Sequence, residues 1–339
     1  MAVNISTLGQ QISLINRVKE MQQSMSNAQL EISTGVKHQS YKDYGPDSLR
    51  IQRYRADLVG IEGYLYNIET TQVTIEQMNS GLQESMDQAG NILSAISIQL
   101  AKGSEFDLDS IKGAAKAALQ VIEANMNSKL GDRYLFAGSD VSNKPYTNAN
   151  GATSDMQARM SDWLDGTVDT ATFLAGIEGI TDSQAGFSST LQSAKGVFAR
   201  VDDTFEVDYT VLANNEGFKD IVSGLRALVN LEQPVEGVDQ PSRDDFYEVL
   251  DTMYRKVQDG VNGLRKNAST LAASSNTINT ALETHKNDRQ NLLRVLENTE
   301  GADVTDAVIR LQTLQTQLDA SYRATAILSQ LSLARLLNP

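Results

Sequence analysis

The chain of 339 residues contains no cysteine. Disulfides, thiolate metal sites and cysteine nucleophiles are therefore excluded, and the absence suits a protein that works outside the cell without oxidative pairing. Aromatic residues make up only 6% of the sequence, Trp163 is the single tryptophan, and the mean hydropathy is polar. So few large side chains argue against one compact enzyme fold and for an elongated molecule. Basic residues are also in deficit: 29 Lys and Arg stand against 43 Asp and Glu, a formal charge of −14. Nucleic acid and anionic membrane surfaces need clustered cations, so neither is an expected partner. No run of about eighteen apolar residues is present to span a membrane. The opening MAVNISTLGQQ lacks the basic and long apolar regions of a cleaved signal. Any export is expected to use another route.

Histidine is nearly absent. His38 falls in a linker and His285 on a helix, and neither lies in an HExxH pattern or beside a nucleophile motif. The adjacent pairs Asp202-Asp203 and Asp244-Asp245 come nearest to cation ligands. EF-hand spacing is missing, however, and neighbouring acids in an acidic stretch are usually just solvated. No glycine run passes from a strand into a helix as a phosphate loop would. The expectation is a protein that is not an enzyme, with no cofactor and no metal.

What the chain does carry is helical periodicity, beginning at its two ends. After the breaker Gly301, Asp303 is placed to cap a helix in which Val304, Val308, Leu311, Leu314, Leu318, Tyr322, Thr325 and Leu328 recur at steps of three or four. At the other end Ile5, Leu8, Ile12, Ile15, Met21, Met25, Ala28 and Ile32 do the same, with Val18 near this stripe and Leu14 off it. Both helices carry few charges; Gln, Thr, Ser and Ala fill their polar sides. A solvated helix face is normally rich in Lys and Glu, so these ends are expected to pair with each other and to meet other subunits. The expected assembly interface is Ile5, Leu8, Ile12, Ile15, Leu311, Leu314, Leu318, Tyr322 and Leu328.

Between the ends the pattern runs out and back. Residues 33–47, with Gly35, Gly45 and Pro46, read as a linker, and Asp47 is placed to cap the next helix. An apolar repeat over 58–100, with Gln72 at one seam position, predicts a long coiled-coil helix of about fifty residues. Gly60, Gly63, Gly81 and Gly90 each weaken it by roughly 1 kcal/mol relative to Ala, so it should depend on packing. A shorter antiparallel helix over 108–130 comes after it, then strand and turn chemistry over 131–146 that predicts a β-hairpin. From Asp140 to Asp245 eighteen acids face seven bases. This acidic stretch is read as an inserted α+β domain, with helices over 156–174 and 218–231 and a strand over 204–212. A second long helical stripe then runs through 246–282. The expected fold class is mainly α: an elongated bundle of long antiparallel coiled-coil helices with paired terminal helices, a hairpin and a small insert. The expected domains are 1–40 with 302–339 for assembly, 41–140 with 243–301 as a rod, and 141–242 as the insert.

Three stretches carry a resemblance: LEISTG at 30–35, DRYLFAG at 132–138, and the tail LQTQLDASYRATAILSQLSLARLL at 314–337. Together they resemble the flagellin superfamily, and specifically its hook-associated proteins of the hook-filament junction. Arg133, Tyr134, Leu135, Phe136, Ala137 and Gly138 are the most specific part. The resemblance covers both ends and the rod but not residues 150–240. It implies an extracellular structural subunit of the bacterial flagellum, exported by the flagellar type III route without a cleaved signal. It also implies a ring of subunits between an adjacent hook-associated junction protein and flagellin, and an export chaperone that holds the C-terminal helix. A divergent filament flagellin and a secreted coiled-coil adhesin are the alternatives. The matched apolar ends speak against the adhesin, which needs only one anchored end.

Overall fold

The computed structural model describes the backbone over residues 7–102, 107–147 and 150–337. The chain is mainly helical. Helices α1 (Thr7–Thr34), α2 (Ser48–Lys102) and α3 (Leu108–Met126) lead to the strands β1 (Lys129–Leu130) and β2 (Arg133–Tyr134). Helices α4 (Asn150–Leu164), α5 (Thr170–Glu178) and α6 (Asp182–Ala185) come next, then strands β3 (Phe198–Arg200) and β4 (Glu206–Asp208). Helices α7 (Glu216–Asn230), α8 (Arg243–Glu300) and α9 (Val304–Leu337) complete the order. Two compact units divide the chain, Met1–Glu62 with Lys286–Pro339, and Gly63–His285.

The unit Gly63–His285 holds most of the buried apolar side chains. On α2, Ile68, Ile75, Met78, Leu82, Ala89 and Ile96 of the expected stripe are buried; Ile92 is buried where Leu93 was expected, and Leu100 at the end of the stripe is exposed. The polar seam residue Gln72 finds its partner on α8, donating to the side-chain oxygen of Asn279. α3 begins where the Asp107 carboxylate accepts from Ser110 N at 3.1 Å, and it buries Ile111, Ala115, Leu119, Ile122 and Met126. α7 is capped by Asn215, whose side chain accepts from Phe218 N at 3.1 Å. Its residues Phe218, Ile221, Val222, Leu225 and Leu228 are fully buried, packed with α3 and α8. Composition places α7 in the acidic stretch; packing places it in the core.

α7 and α8 approach more closely than side chains allow. A Cβ added to Gly217 would lie 2.7 Å from Leu264 N, one on Gly260 would lie 2.7 Å from Gly217 O, and one on Gly263 would lie 2.8 Å from Gly217 Cα. The three glycines are what permit the contact. Gly60, Gly63 and Gly90 on α2 differ, since an added Cβ there meets nothing within 4 Å.

The remaining segments depart from the sequence reading in detail. The hairpin is shorter and earlier than 131–146: β1 and β2 pair Lys129 with Tyr134 and Leu130 with Arg133, turning at Gly131 (φ 62°). Leu135 and Phe136 leave the strand because they are drawn into the core. The helix expected over 156–174 divides at Gly166 (φ 73°), and Asp169 caps the second piece by accepting from Thr172 N at 2.8 Å. Trp163 is buried there, stacked on Phe173 at 5.1 Å and donating from Nε1 to Thr170 Oγ1. The strand expected over 204–212 contracts to β4, which pairs with β3 in antiparallel register, Ala199 opposite Val207.

Candidate assembly interface

α1 and α9 pack on each other. Asp303 caps α9 as its position predicts, accepting from Asp306 N at 3.1 Å. α1 ends at Gly35, which takes φ 69°. Two small residues, Ala28 and Ala307, are buried between the helices. Around them Leu14, Val18, Met21, Met25 and Ile32 on α1, and Val308, Leu311, Leu314 and Leu318 on α9, are half-buried. Polar contacts flank this seam: Gln22 donates to Tyr322 OH at 2.9 Å, and the Arg310 guanidinium meets Glu31 at 2.6 Å and Asp306 at 3.0 Å.

The geometry separates the expected interface residues into two sets. Leu311, Leu314 and Leu318 lie in the intrachain seam. Ile12 and Ile15, expected on the same stripe as Met21 and Met25, instead stand 52% and 64% exposed, and Leu14 takes the seam position. The steps 14, 18, 21, 25, 28 and 32 form an unbroken a/d repeat, and Ile15 lies one residue, about 100°, around the helix from it. Tyr322 is also exposed, as are Leu30, Val304, Ile309 and Ile327. Both helices thus keep exposed apolar side chains outside the seam, among which the Tyr322 hydroxyl is held by Gln22. Ile5 and the side chains of Leu8 and Leu328 lie outside the described residues.

At the base of this pair the linker is folded, not free. Lys37 N donates to Glu300 O at 2.7 Å and Ala302 N to Gly35 O at 2.8 Å, so Val36 and Gly301 face each other as an antiparallel bridge. Arg55 reaches the Glu300 carboxylate at 2.6 Å and Tyr41 OH at 2.9 Å. Lys37 Nζ donates to the carbonyls of Asn298 and Thr299 at the C-terminal end of α8, where a cation is favoured. Residues Tyr41–Asp47 form a 3-10 helix, and Asp47 holds the Arg50 side chain at 3.1 Å where a helix cap was expected.

The DRYLFAG stretch is built mostly inward. Leu135, Phe136 and Ala137 are buried; Phe136 meets Phe218 of α7 edge-on at 5.6 Å and lies over Gly81 of α2. Phe136 O accepts from Ala213 N at 2.9 Å. Gly138 has φ 62°, and a Cβ there would meet Leu212 at 2.6 Å and Lys195 O at 2.9 Å. Leu135 to Gly138 therefore form a wedge joining α2, α7 and the segment before β3. Arg133 is exposed and Tyr134 half-buried, with Lys129 Nζ 4.2 Å from the Tyr134 ring. Nearby, the Asn127 side chain holds the backbone of Tyr146, and the buried Tyr146 hydroxyl accepts from Arg226 at 2.7 Å. Burial pushes the Tyr146 hydroxyl up to about 12, against the pull of the Arg226 charge.

His285 is a packed residue, whereas His38 is exposed. His285 is buried with Nε2 2.7 Å from Val201 O and its ring stacked on Tyr64 at 5.3 Å, and His38 meets the edge of Tyr44 at 5.0 Å. Among the described residues no three potential metal ligands cluster, and no helix is long and apolar enough to cross a membrane.

Residues 254–337, from within α8 through α9, match the family of the bacterial flagellin C-terminal helical region. The fold is similar to a solved structure described as a flagellar hook-associated protein from Vibrio parahaemolyticus, 13% identical, with a TM-score of 0.55 over 76% of this chain and 100% of that one. FlgL of Bacillus cereus aligns at 14% identity and a TM-score of 0.47, over 73% of this chain and 98% of that one. No curated protein matches the chain in sequence. The sequence match to the flagellin C-terminal helical region is confined to residues 254–337, and beyond it the likeness to the Vibrio protein is one of fold.

Proposed function

We propose that this chain is a hook-associated structural subunit of the bacterial flagellum, of the type that joins the hook to the filament. The observation that carries the reading is the set of exposed apolar side chains on α1 and α9 outside their seam, since α9 lies wholly within the matched flagellin region. Exposed apolar side chains on a weakly charged helix pair are what a subunit needs to pack against further copies of itself. The terminal pair, 1–40 with 302–339, is the assembly part of the chain. Copies associate through it in a ring, with an adjacent hook-associated junction protein on one side and flagellin on the other. Before assembly an export chaperone covers the apolar face of α9, and the subunit travels by the flagellar type III route to the cell exterior. The DRYLFAG resemblance and the fold shared with the Vibrio protein support a junction subunit over a divergent filament flagellin.

One labelling experiment separates these readings. The chain has no cysteine, so Val238→Cys at a 74% exposed position gives a single site for a thiol-reactive dye on intact flagella. A junction subunit yields one spot where hook meets filament. Dye along the whole filament would make it a flagellin, and flagella without dye would remove it from the organelle.

A further inference from the structure

The unit Gly63–His285 holds a cleft of about 660 Å³ between its two β-ribbons. Its floor is the stretch of α2 from Tyr66 to Thr74, one wall is the β1–β2 hairpin, and the other is β3. The chain after β2 and the chain before β3 are tied together where Ser139 N donates to Lys195 O at 3.0 Å and Lys195 N to Ser139 Oγ at 2.9 Å. β3 meets this cleft with an unpaired edge. In its ladder with β4 the bonds fall to the odd-numbered residues, since Tyr209 N donates to Val197 O and Val201 N to Phe205 O. The backbone N–H and C=O groups of Phe198 and Arg200 therefore point away from β4, and they have no hydrogen-bond partner among the described residues. The outer edge of β4 differs, because Asp208 O accepts from Ser274 Oγ of α8 at 2.6 Å. An open edge beside a cleft is a template for one more strand.

Charge narrows the kind of strand. In a chain of formal charge −14, this cleft is lined by two arginines and no carboxylate. The Arg200 guanidinium is already engaged, bonded to oxygens of Asp202 and Asp203. Arg133 is exposed and has no ion pair among the described residues, so it is left to take an incoming carboxylate. Tyr66 and Phe198 add two rings that stand 71% and 54% exposed. We propose that the cleft is a docking site for an extended, acidic segment of a partner protein, added as a further strand on β3. Its backbone pairs with Phe198 and Arg200. Carboxylates on one face of the added strand meet Arg133, and apolar side chains on its other face lie over α2 between Tyr66 and Thr74. A second copy of this chain offers no such segment: among the described residues its strands run for at most three residues and all are paired within the chain. The inference stands on the cleft alone and is separate from the flagellar reading.

A short capped peptide of alternating Glu and Val is the probe, titrated into the full-length chain at low ionic strength and read by calorimetry. It should bind, and Arg133→Glu should weaken it roughly tenfold while the variant melts as the parent does. Two control peptides leave the protein untouched. Gln in place of Glu removes the charges and N-methylation of the amides removes the donors for β3, so each should bind at least roughly tenfold more weakly. No binding of the alternating peptide would overturn the inference, as would equal affinity for either control or in Arg133→Glu. So would a dimer of the chain in sedimentation that Arg133→Glu dissolves, since the occupant would then be a second copy.

Discussion

Leu14 and Ile15 are neighbours on α1 with opposite surroundings, and replacing each with serine tests the assembly reading most directly. Ile15 is 64% exposed in the single chain. Full burial of an isoleucine contributes about 1.5–3 kcal/mol, so about 1–2 kcal/mol per copy is still available when another subunit covers it. Ile15→Ser should forfeit that contribution in the assembled state and almost nothing in the monomer. A loss of this size lowers an association constant roughly 5- to 30-fold per contact. In a ring every copy bears the same loss, so incorporation should fall steeply. Leu14→Ser instead acts inside the chain, because Leu14 is half-buried in the seam with α9. It should loosen the terminal pair of the free monomer, seen as faster protease trimming of both ends. The assays are incorporation into flagella of a strain lacking the chain, beside circular dichroism and proteolysis of purified monomer. Normal incorporation of Ile15→Ser would refute the reasoning, because the outward face would then not be covered on assembly.

Further expectations concern the unit Gly63–His285 and its contrast with the ends. Gly263→Ala places a Cβ 2.8 Å from Gly217 Cα, an overpacking that should cost about 1–3 kcal/mol, whereas Gly60→Ala meets open space and should be neutral or stabilising. Thermal melts that rank the two variants the other way would contradict the close crossing. Limited proteolysis of the monomer should trim α1 and α9 first, because few of their described side chains are fully buried, and leave Gly63–His285; intact ends after the core is cut would count against this. The Tyr146 hydroxyl is raised from 10 to about 12 in the folded chain, so the unfolded chain gives up its proton first. Stability should fall as pH rises from 10 to about 12, and Tyr146→Phe should flatten that part of the denaturant-derived profile; an unchanged slope would deny the shift. Deleting 150–235 removes α7 and should collapse the core, whereas a short turn in place of 202–204 should leave the melt nearly unchanged; a folded deletion would show that α7 is dispensable.

The sequence made the long helices legible because their apolar stripes run for many turns and their breakers, Gly35 and Gly301, are local. Asp303 was legible for the same reason: a cap acts within one turn. The α1 seam was harder. A three-four step can continue along either of two adjacent faces, and only the position of α9 decides that Leu14, not Ile15, turns inward. α7 was recognised as a helix but not as core, since the acidic composition around it masked a segment whose one deeply buried charge, Arg226, is met by Tyr146 and Gln184. Gly217, Gly260 and Gly263 carry no visible signal either. Glycine in a helix reads as a weakness until a second backbone is found against it. Of the candidate interface, the sequence supplied the residue types, and the partner helix supplied the division into inner and outer faces.

The out-and-back path has a kinetic consequence. Gln72 and Asn279 are 207 residues apart, and Gln22 and Tyr322 are 300 apart. Each of these pairings must close a loop spanning most of the chain, so contact order is high for a helical protein although its helices are local. A chain delivered N-terminus first holds α1 and α2 without their partners until α8 and α9 arrive. α9 emerges long after α1 and yet supplies the seam on which α1 folds, so a variant without α9 bares the apolar seam of α1 as well.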